Sequence, residues 1–248
     1  MIIIALFSLN SCSSNEPLEG FVEDTDLANP VSNPSTSTVL LKKTITTYPD
    51  GAKTVTNFNY DGIKLISITD DSGDGNVYFI YTGDLITKIE YKLPDGTLEQ
   101  VDSFTYNSNG KLASFVREIT TVSEGTFIDS KEVYTYNTDG SISVKEESGS
   151  SSTGTIKFVD GEVSEITSTN SATHKYVYDA KNSPFKNVLG WDKISFYGGE
   201  ADGILHNIIS DTSTQSYDYT YTYNSDNYPT KSVEIDNTGF MVKTEYFY

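Results

Sequence analysis

The sequence predicts an all-β protein, built as an antiparallel β-meander of repeated hairpins. Three observations predict this class. A short aromatic phrase recurs along the chain, Asp-Gly or Asn-Gly pairs separate its copies, and no stretch of twelve or more residues has helical periodicity. Because consecutive hairpins need only short turns, the pattern indicates antiparallel neighbours rather than parallel strands joined by crossover helices.

The repeated phrase is an aromatic residue, any residue, a second aromatic residue, then Asn or Asp and a glycine turn. Clear copies begin at Phe58, Phe104 and Tyr134, and weaker copies begin at Phe79, Ile156, Tyr176 and Tyr221. Each copy is one strand–turn–strand unit, which cannot bury its apolar face without its neighbours. The repeat therefore indicates an architecture, but it does not by itself indicate an activity.

Turn signals set the spacing of the strands. Seven Asp-Gly pairs and Asn109-Gly110 occur in the sequence, and such pairs favour two-residue hairpin turns in which both central residues have positive φ. Between the turns apolar and polar residues alternate, as they do over residues 85–92. This spacing predicts roughly fourteen to sixteen strands.

The predicted shape is a largely single-layer sheet, curved or rolled into a half-barrel. Apolar residues make up 36% of the chain, which is low for a two-layer sandwich. A closed transmembrane barrel needs one continuous apolar face toward lipid, and Glu90, Lys111, Arg117 and Lys145 argue against it. The concave face is predicted to carry the repeated Tyr and Phe side chains.

The N-terminus resembles a bacterial lipoprotein signal. Residues 2–7 are an apolar run, and Leu9-Asn-Ser-Cys12 follows, in which Cys12 is the one cysteine of the chain. The resemblance implies lipidation of Cys12 after cleavage, although no Lys or Arg precedes Lys42 to form the usual positive region. About six apolar residues are far fewer than the roughly 20 that span a bilayer, so a lipid anchor is expected.

The predicted organisation has three parts. Residues 1–11 form a lipoprotein signal peptide, residues 12–38 a flexible tether, and residues 39–248 a repeat β-meander domain with an insertion around residues 180–203. The tether is rich in Ser, Thr, Asn and Pro and has few apolar side chains to bury. Its early acids are similar to the export signals of surface-exposed Bacteroidota lipoproteins, so the expected location is the cell envelope, at the outer membrane.

A family resemblance rests on the repeat and on the N-terminal signal. The copies over residues 104–110 and 134–140 resemble the Tyr-Asp repeats of Rhs-type proteins. With the lipoprotein signal, residues 39–248 resemble uncharacterised Bacteroidota lipoproteins of the DUF4595 kind, which carry an open β-meander. The resemblance implies this architecture and no catalytic residue, because those lipoproteins have no assigned activity as a group.

The chain is strongly acidic, with a net charge of −18. This charge disfavours nucleic-acid binding and a polybasic attachment to anionic lipid. The acids either keep an open sheet soluble or form a cation-binding surface. Residues 70–76 place oxygen-bearing side chains at alternate positions, like the first half of a calcium loop. Tyr81 stands where the bidentate Glu of such a loop is expected, which favours a solvated hairpin tip.

No catalytic residue, metal site or cofactor is predicted. The two histidines, His174 and His206, have no zinc-binding spacing and are expected at the surface. No Gly-x-Ser-x-Gly elbow or phosphate-binding glycine loop is present. A pair of carboxylates of the kind that hydrolyses glycosides stays an alternative, because acids are abundant.

The repeat pattern fails between Tyr178 and Ile204, where the sequence holds the predicted binding residues. Phe185, Trp191 (the one tryptophan) and Tyr197 occur in this segment. Exposed together, they would form a platform for stacking on a sugar or docking a protein. Alternatively, they fold over the sheet as a plug and cover its apolar surface.

These residues favour a lipid-anchored, non-enzymatic envelope protein that presents a binding or scaffold surface. The expected partners are the membrane, through Cys12, and a polysaccharide or an envelope protein. Free sheet edges would also offer pairing to a partner strand. Two other classes stay open: a carboxylate-dependent glycan hydrolase, and a component of an envelope complex with no ligand of its own.

Overall fold

A computed structural model describes residues 38–148 and 151–248 of the chain. The predicted signal peptide, Cys12 and residues 12–37 of the predicted tether lie outside the described residues. In the described ranges sixteen β-strands follow one another, with one short α-helix, α1 (Trp191–Ile194), between the twelfth and thirteenth strands. No helix within these ranges is both long enough and apolar enough to cross a membrane.

The strands are between five and twelve residues long. They are β1 (Lys43–Thr47), β2 (Lys53–Asp61), β3 (Lys64–Asp70), β4 (Asn76–Thr82), β5 (Leu85–Lys92), β6 (Leu98–Tyr106), β7 (Leu112–Thr121), β8 (Gly125–Tyr136), β9 (Ile142–Glu146), β10 (Thr153–Val159), β11 (Glu162–Ser168), β12 (His174–Tyr178), β13 (Ile208–Thr212), β14 (Tyr217–Tyr223), β15 (Pro229–Asp236) and β16 (Met241–Phe247).

The sheet is a closed barrel, so the prediction of an open or half-barrel sheet is wrong. The antiparallel meander is confirmed, because each described strand pairs with the next one along the chain. The closing ladder joins β1 to β16, from Lys43 opposite Phe247 to Thr47 opposite Lys243. An open sheet would leave backbone N–H and C=O groups unpaired along two edges, and closure pairs them. A partner strand was expected to pair with a free edge of the sheet, and the described sheet has no free edge.

The repeated aromatic residues face the barrel interior, as predicted for the concave face. Phe104 lies opposite Phe115 in the β6–β7 ladder, and Tyr134 lies opposite Val144 in the β8–β9 ladder. Other copies of the phrase belong to the same buried core, namely Phe79, Ile156 and Tyr176. Full burial of one such side chain stabilises the fold by about 1.5–3 kcal/mol.

The opposite, outward face of the wall carries charged and polar side chains, beside exposed apolar ones such as Ile80, Val159 and Val177. Ion pairs join outward side chains along and across the strands. They are Lys92–Glu90 at 2.8 Å, Lys145–Glu147 at 3.0 Å, Lys157–Glu165 at 2.7 Å and Lys231–Glu245 at 3.8 Å between nitrogen and oxygen. The strands therefore alternate between an aromatic inner face and a charged outer face.

Most hairpin turns differ from the predicted two-residue type. Positive φ at both residues occurs at Asp160–Gly161, with φ of 51° and 85°, whereas at Asp50-Gly51 only the glycine, at 89°, is positive. The Gly51 N–H donates to the Tyr48 carbonyl at 2.9 Å, and the Tyr48 N–H donates to the Ala52 carbonyl at 2.9 Å. This is a type I turn followed by a left-handed glycine. The Asp50 carboxylate accepts the Ala52 N–H at 2.9 Å, which explains aspartate at this position.

The meander gives the barrel two different rims. The turns that follow the aromatic phrases lie at one rim together with the segment between β12 and β13, and this is the motif rim. The turns that follow the odd-numbered strands lie at the opposite rim, which is here named the far rim. Because β1 runs away from the motif rim, residues 38–42 join the barrel there.

Candidate functional site

The segment between β12 and β13, residues 179–207, packs into the barrel interior at the motif rim and is here named the plug. Its two ends are held together. The Asp179 N–H donates to the Asn207 carbonyl at 3.0 Å. The Asn207 N–H and side-chain amide donate to the Asp179 carboxylate over 3.1, 3.2 and 3.0 Å. These bonds close the plug into a loop where it leaves the wall.

Glu162 on β11 anchors the returning arm of the plug. Its carboxylate accepts the N–H groups of Ile204, Leu205 and His206 at 3.0, 2.7 and 2.8 Å, and the residue is 4% exposed. Hydrogen bonds to an ionised acceptor are about twice as strong as neutral ones. His206 Nδ1 also lies 3.2 Å from Glu162 Oε1. His206 was expected to be a surface residue, and its side chain is 32% exposed while it joins this anchor.

Two of the predicted binding residues, Phe185 and Trp191, come together in the plug. Their rings stack with centroids 4.6 Å apart. Phe185 also lies 5.7 Å from Phe58 of β2, and Trp191 lies 6.3 Å from Phe79 of β4. Both rings are therefore packed against each other and against the wall. Ligand binding by these residues stays a prediction, and their geometry here is that of the predicted plug rather than of an exposed platform.

Tyr197, the third predicted binding residue, lies apart from the other two. Its ring lies 4.9 Å from Phe104 of β6. The neighbouring Phe196 is 5% exposed and meets Tyr134 at 6.0 Å and Phe158 at 5.7 Å. Aromatic pairs at such separations contribute about 0.5–1.5 kcal/mol each beyond area burial. The plug thus contacts the wall through aromatic rings from β2 round to β10.

Gly190 lets the plug backbone approach the β4–β5 turn. Its φ is 78°, and a Cβ at this position would lie 3.0 Å from the Asp84 carbonyl oxygen and 3.3 Å from the Ile86 nitrogen. The Tyr81 hydroxyl donates to the Leu189 carbonyl at 3.2 Å beside it. Glycine is therefore required here both by the left-handed conformation and by the lack of space.

A buried ion pair lies in the interior beside the plug. Asp102 is 0% exposed, and Arg117 donates Nε to its Oδ1 at 3.0 Å and Nη2 to its Oδ2 at 3.2 Å. The Gln100 amide also donates to Asp102 at 3.0 Å. Sequence reasoning placed Arg117 on the outward wall, and this placement is wrong. The β6–β7 register sets Arg117 opposite Asp102, on the inward face.

A cavity of about 180 Å³ lies between the plug and strands β8–β11. Glu132 and Glu146, which are opposite each other in the β8–β9 ladder, border it together with the ring of Phe196. Four serines also line it: Ser130, Ser152, Ser168 and Ser171. The last three lie in or beside turns of the far rim, so the cavity extends toward that rim.

Glu132 is the buried acid of this cavity, with 9% exposure. Its Oε2 accepts a hydrogen bond from the Tyr134 hydroxyl and one from the Gly198 N–H at 3.2 Å. Burial raises the pKa of the Glu132 carboxyl above its ordinary value, the two hydrogen bonds lower it in part, and the nearby charge of Glu146 raises it further. Glu146 itself accepts the Ser152 hydroxyl at 2.8 Å.

His174 also faces the interior, whereas it was expected to be a surface residue. Its Nδ1 lies 3.1 Å from Asp211 Oδ1 of β13, and its ring stacks on Tyr176 at 5.9 Å. The hydrogen bond to Asp211 raises the pKa of His174 above its ordinary value, burial lowers it, and Asp211 and Glu200 raise it through their charges. The imidazolium is therefore favoured in the fold.

This pKa predicts a pH-dependent contribution to stability. Because the folded pKa is raised, the contribution is fully present below the unfolded value near 6.5 and is lost as pH rises through the folded value. We expect His174→Gln to lower the free energy of unfolding at pH 5.5 by up to about 1 kcal/mol more than at pH 8.5, the size of a partly exposed pair. Urea unfolding at the two pH values measures this.

The outward neighbour Lys175→Gln is the matched control for His174→Gln. It leaves the His174–Asp211 pair in place, so its effect on stability is expected to be similar at the two pH values. An equal loss at pH 5.5 and pH 8.5 for His174→Gln would contradict a stabilising imidazolium.

The loop over residues 70–76 is a hairpin tip held by its own side chains. Asp70 accepts the Ser72 N–H at 2.8 Å, Ser72 accepts the Asp74 N–H at 3.0 Å, and Asp71 accepts the Val55 N–H at 2.7 Å. The Asp70 and Ser72 oxygens complete local turns, as short polar side chains commonly do, and Asp71 joins the loop to β2. Over residues 38–148 and 151–248 no group of three or more His, Cys, Asp or Glu residues is arranged to hold a metal ion.

Sequence reasoning missed the charged residues of the interior, although a signal for two of them exists. Asp102 precedes Phe104 by two residues, and Glu132 precedes Tyr134 by two. In a strand, residues two apart share a face, so both acids lie on the inward face of the aromatic phrase. Glu146 has no comparable signal, because its strand carries no copy of the phrase.

Fold and site together define a closed, plugged, antiparallel β-barrel with a small acidic cavity. Among solved structures, a porin-like protein from Bacteroides vulgatus ATCC 8482 is similar, with 16% identity and a TM-score of 0.53, over 85% of this chain and 98% of that chain. A porin-like protein from Bacteroides uniformis ATCC 8492 has 15% identity and a TM-score of 0.47, over 84% and 97%. At such identity the first likeness shows the fold alone.

No protein-family model matches the chain, and no curated protein matches it. The likeness to Tyr-Asp repeats and to lipoproteins of the DUF4595 kind therefore stays a resemblance.

Proposed function

We propose that this chain is a non-enzymatic envelope protein, held to a membrane by a lipid on Cys12, whose barrel stands in water as a binding or scaffold module. One observation carries the proposal. The outer wall bears ion-paired Lys and Glu side chains, where a membrane-spanning barrel has an apolar band. The porin-like description of the similar Bacteroides protein supports an envelope location.

The energetic cost of a lipid-facing wall supports the same proposal. Outward lysines within strands include Lys88, Lys145, Lys157 and Lys231. At the bilayer midplane each would cost about 2–4 kcal/mol, falling to about 0–1 kcal/mol near the interfaces. A few such costs are a large fraction of the whole stability of a domain, about 5–15 kcal/mol. The plug also packs Val188, Ile194 and Phe196 into the buried core of the barrel, which favours binding over conduction.

Replacing Cys12 by serine is expected to move the full-length protein from the membrane to the aqueous fraction. The lipid is the proposed attachment, so the variant should lose both incorporated palmitate and resistance to alkaline extraction. The measurement is fractionation of cells that process lipoproteins, grown with labelled palmitate. Ser13→Ala is the matched control and should behave as the parent.

Two outcomes separate the alternatives in this experiment. A Cys12→Ser variant that still resists alkaline extraction would mean that the barrel wall itself contacts lipid. A parent protein that takes up no label would remove the anchor from the proposal and leave the water-facing barrel to be tested by its solubility without detergent.

A second candidate function is glycan hydrolysis, and the facing pair Glu132 and Glu146 favours it. Burial raises the pKa of the Glu132 carboxyl, as it does for a general acid. However, the cavity of about 180 Å³ is smaller than the roughly 300–1,000 Å³ of common ligand sites, which leaves little room for two sugars flanking a bond. Release of reducing ends from polysaccharides, abolished by Glu132→Gln, would establish the hydrolase instead.

A further inference from the structure

We propose that the interior cavity binds a small protonated amine that carries hydroxyl groups, about the size of one amino sugar. The proposal gives a ligand class to the binding function proposed above, but it does not depend on the lipid anchor. The ligand would lie between Glu132 and Glu146, with Ser130, Ser152 and Ser168 around it.

The charge of the cavity selects a cation. Among the described residues that line it, two are acidic and none is Lys, Arg or His. Glu132 is nine-tenths buried, with 9% exposure, and both hydrogen bonds that it accepts within the described chain go to Oε2. Its Oε1 accepts no hydrogen bond from the described residues, so this oxygen is free to accept one from a ligand. Arg117 lowers the pKa of Glu132 by less than Glu146 raises it, so the two acids lack a full counter-charge, and a cationic ligand would supply it.

The form of the lining favours an organic amine over a metal ion. Calcium takes six to eight oxygen ligands, and the described residues form no group of three or more acids or histidines suited to a metal. An ammonium group donates three hydrogen bonds, which two carboxylates and one hydroxyl can accept. Apolar side chains on the same walls would contact the carbon skeleton, namely Val144, Ile156, Ile166 and Phe196.

The serine hydroxyl groups and the volume of the cavity define the rest of the ligand class. Ser130 makes no hydrogen bond through its hydroxyl within the described chain, and Ser168 accepts only the Asn170 N–H. Such hydroxyls both donate and accept, and they match the hydroxyl groups of a sugar. The cavity of about 180 Å³ has room for several waters, and therefore for one ring.

The raised pKa of the Glu132 carboxyl agrees with a site that would hold a cation between Glu132 and Glu146. Burial raises the pKa of its carboxyl, and the charge of Glu146 adds to the rise. An ammonium group between the two carboxylates would offset both effects and stabilise their ionised forms.

Isothermal titration calorimetry of the full-length protein with three probes tests the proposal. Glucosamine carries the ammonium group and the ring, glucose lacks the ammonium group, and ethanolamine lacks the ring. We expect saturable binding of glucosamine and at least tenfold weaker binding of glucose and of ethanolamine. Equal affinity for glucose would overturn the role of charge, equal affinity for ethanolamine would overturn the ring-sized ligand, and no binding of glucosamine would overturn the site.

Variants locate the binding event in the cavity. Glu132→Gln and Glu146→Gln should each weaken glucosamine binding at least tenfold, whereas Glu165→Gln, on the outward face of β11, should leave it unchanged. If the Glu132 variant does not fold, Ser130→Leu fills the cavity and keeps both charges, and it should also abolish binding. Unchanged binding in Glu146→Gln or Ser130→Leu would overturn the proposal. Membrane fractionation of Cys12→Ser is independent of all these results.

Discussion

Replacing Asp102 by alanine is expected to lower the free energy of unfolding by about 3–5 kcal/mol, because it leaves the Arg117 guanidinium buried without its partner. Asp102 is 0% exposed and Arg117 donates two hydrogen bonds to it. For a chain of this size each kcal/mol corresponds to roughly 2–4 °C, so the melting temperature should fall by about 6–20 °C. Urea and thermal unfolding measure both quantities.

Two comparisons make the Asp102 result specific. Glu90→Ala removes the partly exposed pair with Lys92 and should cost no more than about 1 kcal/mol. The double variant Asp102→Leu with Arg117→Met replaces the buried pair by apolar side chains and should recover most of the loss. A loss for Asp102→Ala as small as that for Glu90→Ala would mean that Arg117 reaches water inside the barrel.

Replacing Phe196 by alanine is expected to destabilise the protein by about 3–5 kcal/mol, the usual cost of deleting a buried phenylalanine ring. Phe196 is 5% exposed and packs on Tyr134 and Phe158. The same change would loosen the plug beside Gly198, whose N–H donates to Glu132. Chemical denaturation followed by tryptophan fluorescence reports the stability, since Trp191 lies in the plug.

Phe240→Ala is the matched control for Phe196→Ala. Phe240 is 51% exposed, so its truncation should change stability by no more than about 0.5 kcal/mol. If Phe196→Ala were equally mild, or if fluorescence changed before the barrel unfolded, the plug would be a separable element rather than part of the core.

Local chemistry in the sequence was sufficient for the strands and their order. Period-two alternation and turn pairs identify the hairpins, and sixteen described strands lie within the range that the spacing predicts. Closure has no local signal. It depends on five residues, Lys43–Thr47, pairing with strand β16 at the other end of the chain. The low apolar content wrongly indicated an open or half-barrel sheet. The closed interior is filled by the plug and by small polar residues such as Thr54, which is 1% exposed.

The candidate site was also predictable in part from local patterns in the sequence. The failure of the repeat indicated where the chain leaves the wall, and the plug was one of the two alternatives considered. Which rings it meets depends on contacts between distant strands, such as Phe185 with Phe58, and no spacing encodes them. The inward position of Asp102 and Glu132 could have been predicted, because each shares a face with the aromatic residue two positions later. Arg117 required the β6–β7 register as well.

The entry of the chain at the motif rim determines where the proposed lipid anchor would be attached to the barrel. A lipid on Cys12 would hold the molecule by the rim that the plug closes, since residues 38–42 join β1 there and the Asn187 amide donates to the Val39 carbonyl at 2.9 Å. The far rim would then lie opposite the point of attachment. A solute would reach the acidic cavity from the surrounding water at that rim.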